Sequence, residues 1–325
     1  FFSQQTQWTF RIICIDGGPH LSKFQRLGSV LVLRDLLQDN YSQETIANQI
    51  LDFCDGIPKL IYANTVASGR VYNILSLIPT KIITHVRELE TSIRTYALGW
   101  MTEVIEHTHE FIACSEAVRQ NLIKNYGVDK CKIRLVYTCI APKAITILTD
   151  SQKRFKRTEL NLPKDKVIVS GAGICLPFRK GADIFINVAE QLYKLGERNF
   201  HFLWFGSFDD GQKDANGKQW SEYMQELQTS FLSEYITFMG FQPDLTKYLQ
   251  ACDIYLMTSR EDPFPRTVME AAEVGLPIFS FSGTGGVEEF VDSNIGCTIK
   301  ADEKYSVEEF DRQMGSGGCC NPPPS

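Results

Sequence analysis

The sequence lacks the features that mark several protein classes. No stretch of its 325 residues contains the roughly 20 uninterrupted apolar residues that a membrane-spanning helix requires. The ten cysteines form no C-x-x-C pair and the five histidines do not stand at metal-ligand spacing, which argues against a zinc site. The net charge of −6 provides no basic surplus for nucleic acid. We therefore expect neither a metal ion nor a nucleic acid as a ligand.

The composition is that of a globular protein with more than one core. Hydrophobic residues make up 43% and charged residues 22% of the sequence, as in soluble globular proteins. A length of 325 residues suits two domains of ordinary size better than one. Most cysteines stand in apolar runs, such as RIICID at 11–16, where Cys behaves as a small buried hydrophobe. We therefore expect reduced thiols and a cytoplasmic protein. Peripheral association with the inner face of the membrane is a separate expectation, which does not rest on the cysteines.

The two ends of the chain differ from the rest. The chain begins with FFSQQTQW, without an initiator Met, and ends with the low-complexity segment GSGGCCNPPPS at 315–325. Both ends resemble fragment boundaries. We expect the first domain to lack its first βα unit and the tail 315–325 to belong to neither domain.

Short apolar runs alternate with helical patterns along the chain, which is typical of parallel α/β construction. The polar segment 141–166, which contains two prolines, separates two such series, so we expect domains at 1–145 and 146–314. In such sheets ligands bind at the carboxyl ends of the strands. The expected strands are Phe10–Ile15, Leu60–Ala63, Lys81–His85, Phe111–Cys114, Ile133–Val136, Val167–Gly171, Phe200–Phe205, Ile236–Met239, Ile254–Met257 and Ile278–Phe281, and the expected helices are Leu27–Leu37, Glu116–Asn125, Ala182–Lys194, Ser221–Leu232, Leu245–Ala251 and Arg266–Val274.

The most informative segment is DIYLMTSREDPFPRTVMEAAEVGLPIF at 253–279, in which a strand leads through an acidic loop into a helix. Seven residues separate Asp262 in the loop from Glu270 in the helix. Helix N-termini attract anions, and Pro265 is compatible with a helix start. The loop and Asp262 could therefore bind sugar hydroxyls while Glu270 binds a ribose. Alternatively, the carboxylates could simply complement the helix dipole, and the pattern alone does not separate the two interpretations.

This segment resembles the E-x7-E region of the retaining glycosyltransferases of family 4, in the variant S-R-E-D-P-F-P-x-x-x-x-E-A. The resemblance implies that Asp262 contacts the donor sugar and that Glu270 anchors the ribose of the nucleotide. Glu261 stands beside the shorter Asp262 and is the alternative sugar contact. Phe264 and Pro265 belong to the same loop, so the resemblance places them at the donor site as well.

The segment VIVSGAGICLPFRKGAD at 167–183 resembles the first strand of the same family's donor domain, with the K-G motif after it. The resemblance assigns Lys180 to the donor diphosphate. The second basic residue that the family carries after the strand is absent here, and Arg179 is the candidate replacement. Cationic side chains at this place would stabilise the charge of the departing phosphate. Without the downstream motif, an exposed basic pair before a helix would be the simpler interpretation.

Two further loops resemble parts of the family's nucleotide site. Phe241 and Gln242 follow Gly240 after a strand, where the family holds the nucleobase. The loop SGTGG at 282–286 leads towards a helix, and Thr284, Gly285 and Gly286 are the candidates to contact phosphate through backbone N–H groups. A glycine-rich turn alone is weak support, and it gains weight from its position after the E-x7-E helix.

The first half of the chain carries fewer signals. Of the five histidines we select His85, which ends a strand and begins H-x-x-E, because relatives often carry this motif in contact with the donor sugar or the acceptor. Gly17 and Gly18 follow a strand and have two interpretations. They could contact the donor phosphate, or they could belong to the second βα unit of an incomplete domain.

The resemblance covers about Leu60 to Ile299 and implies the GT-B fold, two Rossmann-like domains facing a cleft. It further implies transfer of a sugar from a nucleoside diphosphate sugar to a sugar or lipid-linked acceptor, with retention of anomeric configuration and without a metal or other cofactor. We expect a role in polysaccharide or glycoconjugate synthesis. A nucleotide-sugar 2-epimerase on the same fold and a non-catalytic sugar-nucleotide-binding module are the alternatives.

Overall fold

A computed structural model of the chain describes residues 8–18, 20–174, 179–207 and 219–300. Within these residues the chain divides into two compact units. The first comprises the described residues up to Cys114 together with Val118–Val136. The second comprises Ser115–Ala117 and the described residues from Tyr137 onward. The expected tail, 315–325, lies outside the described residues.

The first unit is built on parallel strands. Its strands are β1 (Arg11–Cys14), β2 (Ser29–Val32), β3 (Ile61–Asn64), β4 (Ile82–Val86), β5 (Glu110–Ala113) and β6 (Ile133–Leu135). β1 pairs with β2, and β3 to β6 form a four-stranded parallel sheet in chain order. The helices are α1 (Leu21–Gln25), α2 (Arg34–Gln38), α3 (Gln43–Phe53), α4 (Tyr72–Leu75), α5 (Glu90–Tyr96), α6 (Met101–His107) and, from its third residue onward, α7 (Glu116–Tyr126), with 3-10 turns at Val66–Val71, Leu98–Trp100 and Lys130–Lys132.

The second unit contains a six-stranded, all-parallel sheet. Its strands are β7 (Val167–Ala172), β8 (Phe200–Phe205), β9 (Ile236–Phe238), β10 (Ile254–Met257), β11 (Ile278–Phe281) and β12 (Gly296–Ile299), in the spatial order β12-β11-β10-β7-β8-β9. After β7 the chain adds β8 and β9 on one side of the sheet, and after β10 it adds β11 and β12 on the other side. The helices are α8 (Asp150–Glu159), α9 (Ala182–Lys194), α10 (Trp220–Thr229), α11 (Leu245–Leu249) and α12 (Arg266–Glu273), with 3-10 turns at Phe231–Glu234 and Gly286–Glu289.

Helices cover both faces of this sheet. Successive side chains of a strand point to opposite faces, so each strand contributes to two apolar clusters. Phe202 and Trp204 of β8 pack with Phe185 of α9 in one apolar cluster, with ring centroids 5.2 Å and 5.1 Å from that of Phe185. Leu203 and Phe205, the alternate residues of β8, belong to the cluster on the other face. With both faces buried, the loops at the carboxyl ends of the strands are the surface on which a ligand can bind.

The expected helix Leu27–Leu37 is wrong. The structure has β2 at Ser29–Val32 and only the short α2 after it. The segment SVLV carries β-branched valines that favour a strand, and pairing with β1 outweighs the helical spacing of the leucines in this stretch.

The segment 141–166, expected to be a polar junction, contains the helix α8. Thr149 and Gln152 form a capping box at its start. Its one buried residue, Arg157, donates hydrogen bonds to the carbonyls of Ala251 (2.9 Å) and Lys164 (3.1 Å) and pairs with Asp253. A buried polar contact anchors this helix, so an apolar periodicity could not indicate it. The strand β12 was also not expected from the sequence.

We predict that Gly171→Ala destabilises the second unit. A Cβ at Gly171 in β7 would lie 2.7 Å from Cε2 of Phe185 and 3.0 Å from Cε3 of Trp204, both in the rigid core. Overpacking of this kind lowers the free energy of unfolding by about 1–3 kcal/mol. Urea denaturation would measure the effect. Gly99→Ala is the control because a Cβ there would meet nothing within 4 Å, and equal stability of the two variants would contradict the prediction.

Candidate active site

Two loops meet where the strand order of the second unit reverses. β7 and β10 are neighbours in the sheet, yet their following connections leave towards opposite edges. In parallel sheets this reversal opens a crevice at the carboxyl ends of the two strands, which is the usual ligand site. The loop after β7 ends with Lys180 and Gly181 and begins α9, and the loop after β10 runs through 258–265 and begins α12.

Lys180 and Asp262, separated by 82 residues in sequence, form an ion pair between these loops. Their side chains are only 17% and 8% exposed, so the pair is shielded from water and its attraction is stronger than that of a surface pair. The backbone N–H of Asp262 donates to the carbonyl of Thr284 (2.7 Å), and its carbonyl accepts from the N–H of Gly286 (3.0 Å). The main chain of Asp262 is therefore fixed, and one oxygen of its carboxylate pairs with Lys180.

The glycine of the K-G motif is required by the close approach of the two loops. Gly181 adopts φ +66°, and a Cβ there would lie 1.9 Å from the carbonyl oxygen of Thr258. The loops are further joined by hydrogen bonds from the N–H of Arg260 to the carbonyl of Arg179 (2.9 Å) and from Oγ1 of Thr258 to the carbonyl of Lys180 (3.4 Å). Any side chain at Gly181 would separate the segments that place Lys180 beside Asp262.

Glu270 lies half-buried in the first turns of α12, and no described residue donates a hydrogen bond to its carboxylate. The charge of Glu270 affects the pKa of a buried hydroxyl, that of Tyr255. Burial raises the pKa of Tyr255 above its ordinary value, and the charges of Asp262 and Glu270 raise it further. The Tyr255 hydroxyl donates to Oγ1 of Thr267 at 2.7 Å. The two carboxylates of the E-x7-E motif thus act on the same buried hydroxyl, and Glu270 has capacity left for a ligand.

The glycine-rich loop uses several of its own amides. The N–H of Gly286 donates to Asp262, and that of Gly283 donates to Oε2 of Glu288 (3.0 Å). Thr284 is buried and its hydroxyl donates to the carbonyl of Phe281 (2.9 Å). The structure therefore gives this loop a supporting role for Asp262, and a contact with phosphate through Thr284, Gly285 or Gly286 stays a prediction.

Phe264 and Pro265 are buried by packing. The ring of Phe264 lies 5.5 Å from that of Tyr137 and 6.2 Å from that of Phe290, and a Cβ on Gly286 would approach it to 2.8 Å. Pro265 precedes the first residue of α12 with φ −75°, which suits a helix start. The buried ring of Phe264 stabilises the loop, and its contribution to a donor site would come through the main chain.

The loop after β9 presents an aromatic ring to solvent. Phe241 is 72% exposed, so its face is open to a stacking partner. The side chain of Gln242 points back and donates to the carbonyl of Met239 at 2.6 Å. A base contact through this ring stays a prediction, and the side-chain amide of Gln242 already donates within the loop.

His85 is placed at the end of β4 in the first unit. It is 7% exposed, the hydroxyl of Tyr62 hydrogen-bonds to its Nδ1, and within the described residues its Nε2 has no hydrogen-bond partner. Burial, followed by the charge of Arg87, lowers its pKa to about 4. At neutral pH the side chain is therefore an uncharged imidazole. Glu88 of the same H-x-x-E motif accepts hydrogen bonds from the N–H groups of Arg87 (2.8 Å) and Val66 (3.3 Å).

The structure brings Lys180, Asp262 and Glu270 to one edge of one sheet, as the motif spacing predicts. His85 lies in β4 of the first unit. Sequence reasoning did not select Asp183 and Arg260, whose side chains form a two-point ion pair. The sequence does offer a signal for them, since an acidic residue just after K-G and a basic one just before the acidic loop could have been paired by charge.

The described ranges contain neither a metal-ligand cluster nor a membrane-spanning helix. No group of three or more His, Cys, Asp or Glu side chains in these ranges could hold a metal ion. Over the same ranges, no helix combines the length and apolar character needed to cross a membrane.

Solved structures with the same fold confirm the expected GT-B class. HepE of Anabaena in complex with UDP-glucose superimposes with a TM-score of 0.74 at 19% identity, covering 94% of this chain and 81% of that chain. A glycosyltransferase from Rickettsia africae superimposes with a TM-score of 0.70 at 18% identity, covering 95% of this chain and 80% of that chain. Likeness at this level of identity establishes the fold.

The chain belongs to the glycosyl transferases group 1 family, whose model matches residues 151–314, half of the sequence. A similar protein is alpha-galactosylglucosyldiacylglycerol synthase of Streptococcus pneumoniae, 32% identical over 124 residues, which are 38% of this chain and 30% of that protein. The matches span half or less of the length of the curated relatives. The matched region contains Lys180, Asp262 and Glu270.

We predict that His85 titrates near pH 4 and not at the ordinary value of 6.5. The unfolded chain binds this proton first as the pH falls, so the native state loses stability between pH 6.5 and pH 4, by up to about 3 kcal/mol, and regains it as the pH rises. Proton NMR of the His85 ring would give the midpoint directly. In urea denaturation, His85→Asn should show a smaller loss over this window, and a midpoint near 6.5 would contradict the prediction.

Proposed function

We propose that this chain is a retaining glycosyltransferase that moves a sugar from a nucleoside diphosphate sugar to an acceptor hydroxyl. The observation that carries the proposal is the shielded Lys180–Asp262 pair at the reversal point of the six-stranded sheet. A cation and a carboxylate side by side offer one group for a diphosphate and one for sugar hydroxyls. Membership of the glycosyl transferases group 1 family supports this assignment of roles.

In the proposed reaction the bond between the anomeric carbon and the diphosphate oxygen breaks as the acceptor oxygen bonds to the same carbon. Attack on the face that the diphosphate leaves retains the configuration, through an anomeric centre of oxocarbenium character. The acceptor proton passes to the departing phosphate oxygen. Lys180, with Arg179 beside it, stabilises the negative charge that grows on the diphosphate.

Glu270 is proposed to bind the ribose hydroxyls of the nucleotide. Its carboxylate is half-buried, and no described residue donates a hydrogen bond to it, so a pair of vicinal hydroxyls can satisfy it. Phe241, exposed on the loop after β9, is proposed to contact the base. His85, neutral and with Nε2 unsatisfied within the described residues, is proposed to bond an oxygen of the donor sugar or the acceptor.

UDP-glucose is the first donor to test, because HepE binds it on the same fold. The pneumococcal relative is named for a glycolipid product, which supports a lipid-linked or glycolipid acceptor and a role in cell-envelope glycoconjugate synthesis. Such an acceptor would place the protein at a membrane face. A thermal-shift series with UDP-, GDP- and ADP-sugars identifies the nucleotide, since a ligand that binds the native state raises its stability.

Glu270→Ala should weaken binding of the preferred nucleotide sugar by about 1–3 kcal/mol, because the ribose hydroxyls lose charge-assisted hydrogen bonds. Isothermal titration calorimetry measures the change. Glu159→Ala, an exposed carboxylate at the end of α8, is the matched control and should bind as the parent does. Unchanged affinity in Glu270→Ala would remove Glu270 from the site.

Lys180→Ala should lower kcat more than it weakens donor binding, because the phosphate charge grows as the reaction proceeds. Release of nucleoside diphosphate in the presence of acceptor gives kcat, and calorimetry gives the affinity. Equal losses in both would indicate ground-state binding alone. The same assay separates the alternatives: a binding module binds donor without releasing diphosphate, and an epimerase isomerises donor when no acceptor is present.

A further inference from the structure

A second ion pair joins the two loops beside Lys180 and Asp262. Arg260 donates from Nη1 to Oδ1 of Asp183 (2.9 Å) and from Nη2 to Oδ2 of the same carboxylate (2.7 Å). Asp183 stands in the first turn of α9, just after the K-G motif, and Arg260 stands just before the acidic pair of the other loop. Both side chains are about one-quarter exposed, at 26% and 25%.

The Arg260–Asp183 pair fixes the relative orientation of its two groups, whereas the Lys180–Asp262 pair does not. A guanidinium and a carboxylate joined by two parallel hydrogen bonds fix both the distance and the relative orientation of the groups that carry them. An ammonium is a point charge on a flexible stem and fixes a distance only. The backbone N–H of Arg260 adds a third bond at the same place, to the carbonyl of Arg179 (2.9 Å). Arg260 is thus attached to the opposite loop by its side chain and its main chain together.

We propose that Arg260 and Asp183 are positioning residues, which set the separation and orientation of the two loops so that Lys180 and Asp262 face the donor in fixed geometry. The proposal rests on the proposed function for the role of Lys180 and Asp262. The part of the proposal that concerns the separation and orientation of the two loops depends only on the contacts between them. Neither Arg260 nor Asp183 needs to touch the substrate.

The local geometry explains why the position of Lys180 depends on the Arg260–Asp183 pair. The stem of Lys180 lies over Gly173, whose absent Cβ would be 3.0 Å from Cγ and 3.1 Å from Cβ of the lysine. The ammonium group is therefore placed by the path of the backbone at Lys180, and that path depends on how α9 begins. Asp183 anchors the first turn of α9 to the other loop, so a loose anchor would displace Lys180 from Asp262. Small displacements of a catalytic group can lower a rate by as much as about a hundredfold.

The test uses two variants and a control on the same helix. Arg260→Lys keeps the charge and loses the two-point contact, whereas Asp183→Asn keeps the shape and loses the charge. Glu190→Gln breaks the exposed Glu190–Lys194 pair (3.0 Å) further along α9 and serves as the control. Hydrogen exchange of the amides of Arg260 and Asp262, which are bonded to Arg179 and Thr284, reports loop order without any substrate.

Exchange at these two amides should accelerate by about tenfold in Arg260→Lys and Asp183→Asn at nearly unchanged Tm, and stay at the parent rate in Glu190→Gln. With UDP-glucose, or the donor found in the thermal-shift series, kcat should fall by about tenfold while KM changes less than kcat. Parent-like exchange in both loop variants would overturn the proposal whether or not the enzyme is active. Faster exchange with an unchanged kcat would overturn it as well.

The two hypotheses fail separately. If the parent protein releases no nucleoside diphosphate from any donor, the proposed function fails, and the exchange result still decides whether the Arg260–Asp183 pair orders the loops. If Arg260→Lys unfolds, Asp183→Asn carries the same test, because Asn can keep one hydrogen bond to the guanidinium.

Discussion

The geometry of the site depends on the reversal of strand order between β7 and β10. Two neighbouring parallel strands end side by side, and the chain leaves them towards opposite edges of the sheet, so the loops that follow cannot fill the space above the strand ends. One loop delivers Lys180 and the other delivers Asp262 into that space. The buried clusters on both faces of the sheet fix the strand ends from which the two loops leave. Packing far from the chemistry therefore sets where the loops begin, and the contacts between the loops set the distance between the two charged groups.

Main-chain contacts constrain the site as strongly as its side chains do. Gly181 passes the carbonyl of Thr258 at a distance that leaves no room for a Cβ, and Asp262 is bonded through its backbone to Thr284 and Gly286. The glycine-rich loop, expected to hold phosphate, supplies part of this scaffold. Its amides face Asp262 and Glu288, so one function of its glycines is to let three loops approach one another closely.

The sequence predicts most strands of both units and fewer of their helices, for physical reasons. The helix Ala182–Lys194 was predicted to the residue, because a glycine precedes it and its apolar positions recur at helical spacing. The helix α8 was not predicted, because its anchor is a buried arginine rather than an apolar face. The motifs selected Lys180, Asp262 and Glu270, but no local pattern could show that Lys180 pairs with Asp262 or that Arg260 pairs with Asp183. Those contacts join residues 82 and 77 positions apart, and only the strand order brings them together.

The ion pair of Lys180 with Asp262 also has a consequence for how an anion reaches the site. At distances much larger than the separation of the two charges, the pair acts as a dipole, and its field falls off faster than that of a free lysine. The protein as a whole carries a charge of −6, which opposes the approach of anions. If Lys180 binds a diphosphate as proposed, the ion pair does little to attract that anion from a distance. The attraction of the ammonium group then acts at contact, so the pair affects the dissociation rate of the donor more than its association rate.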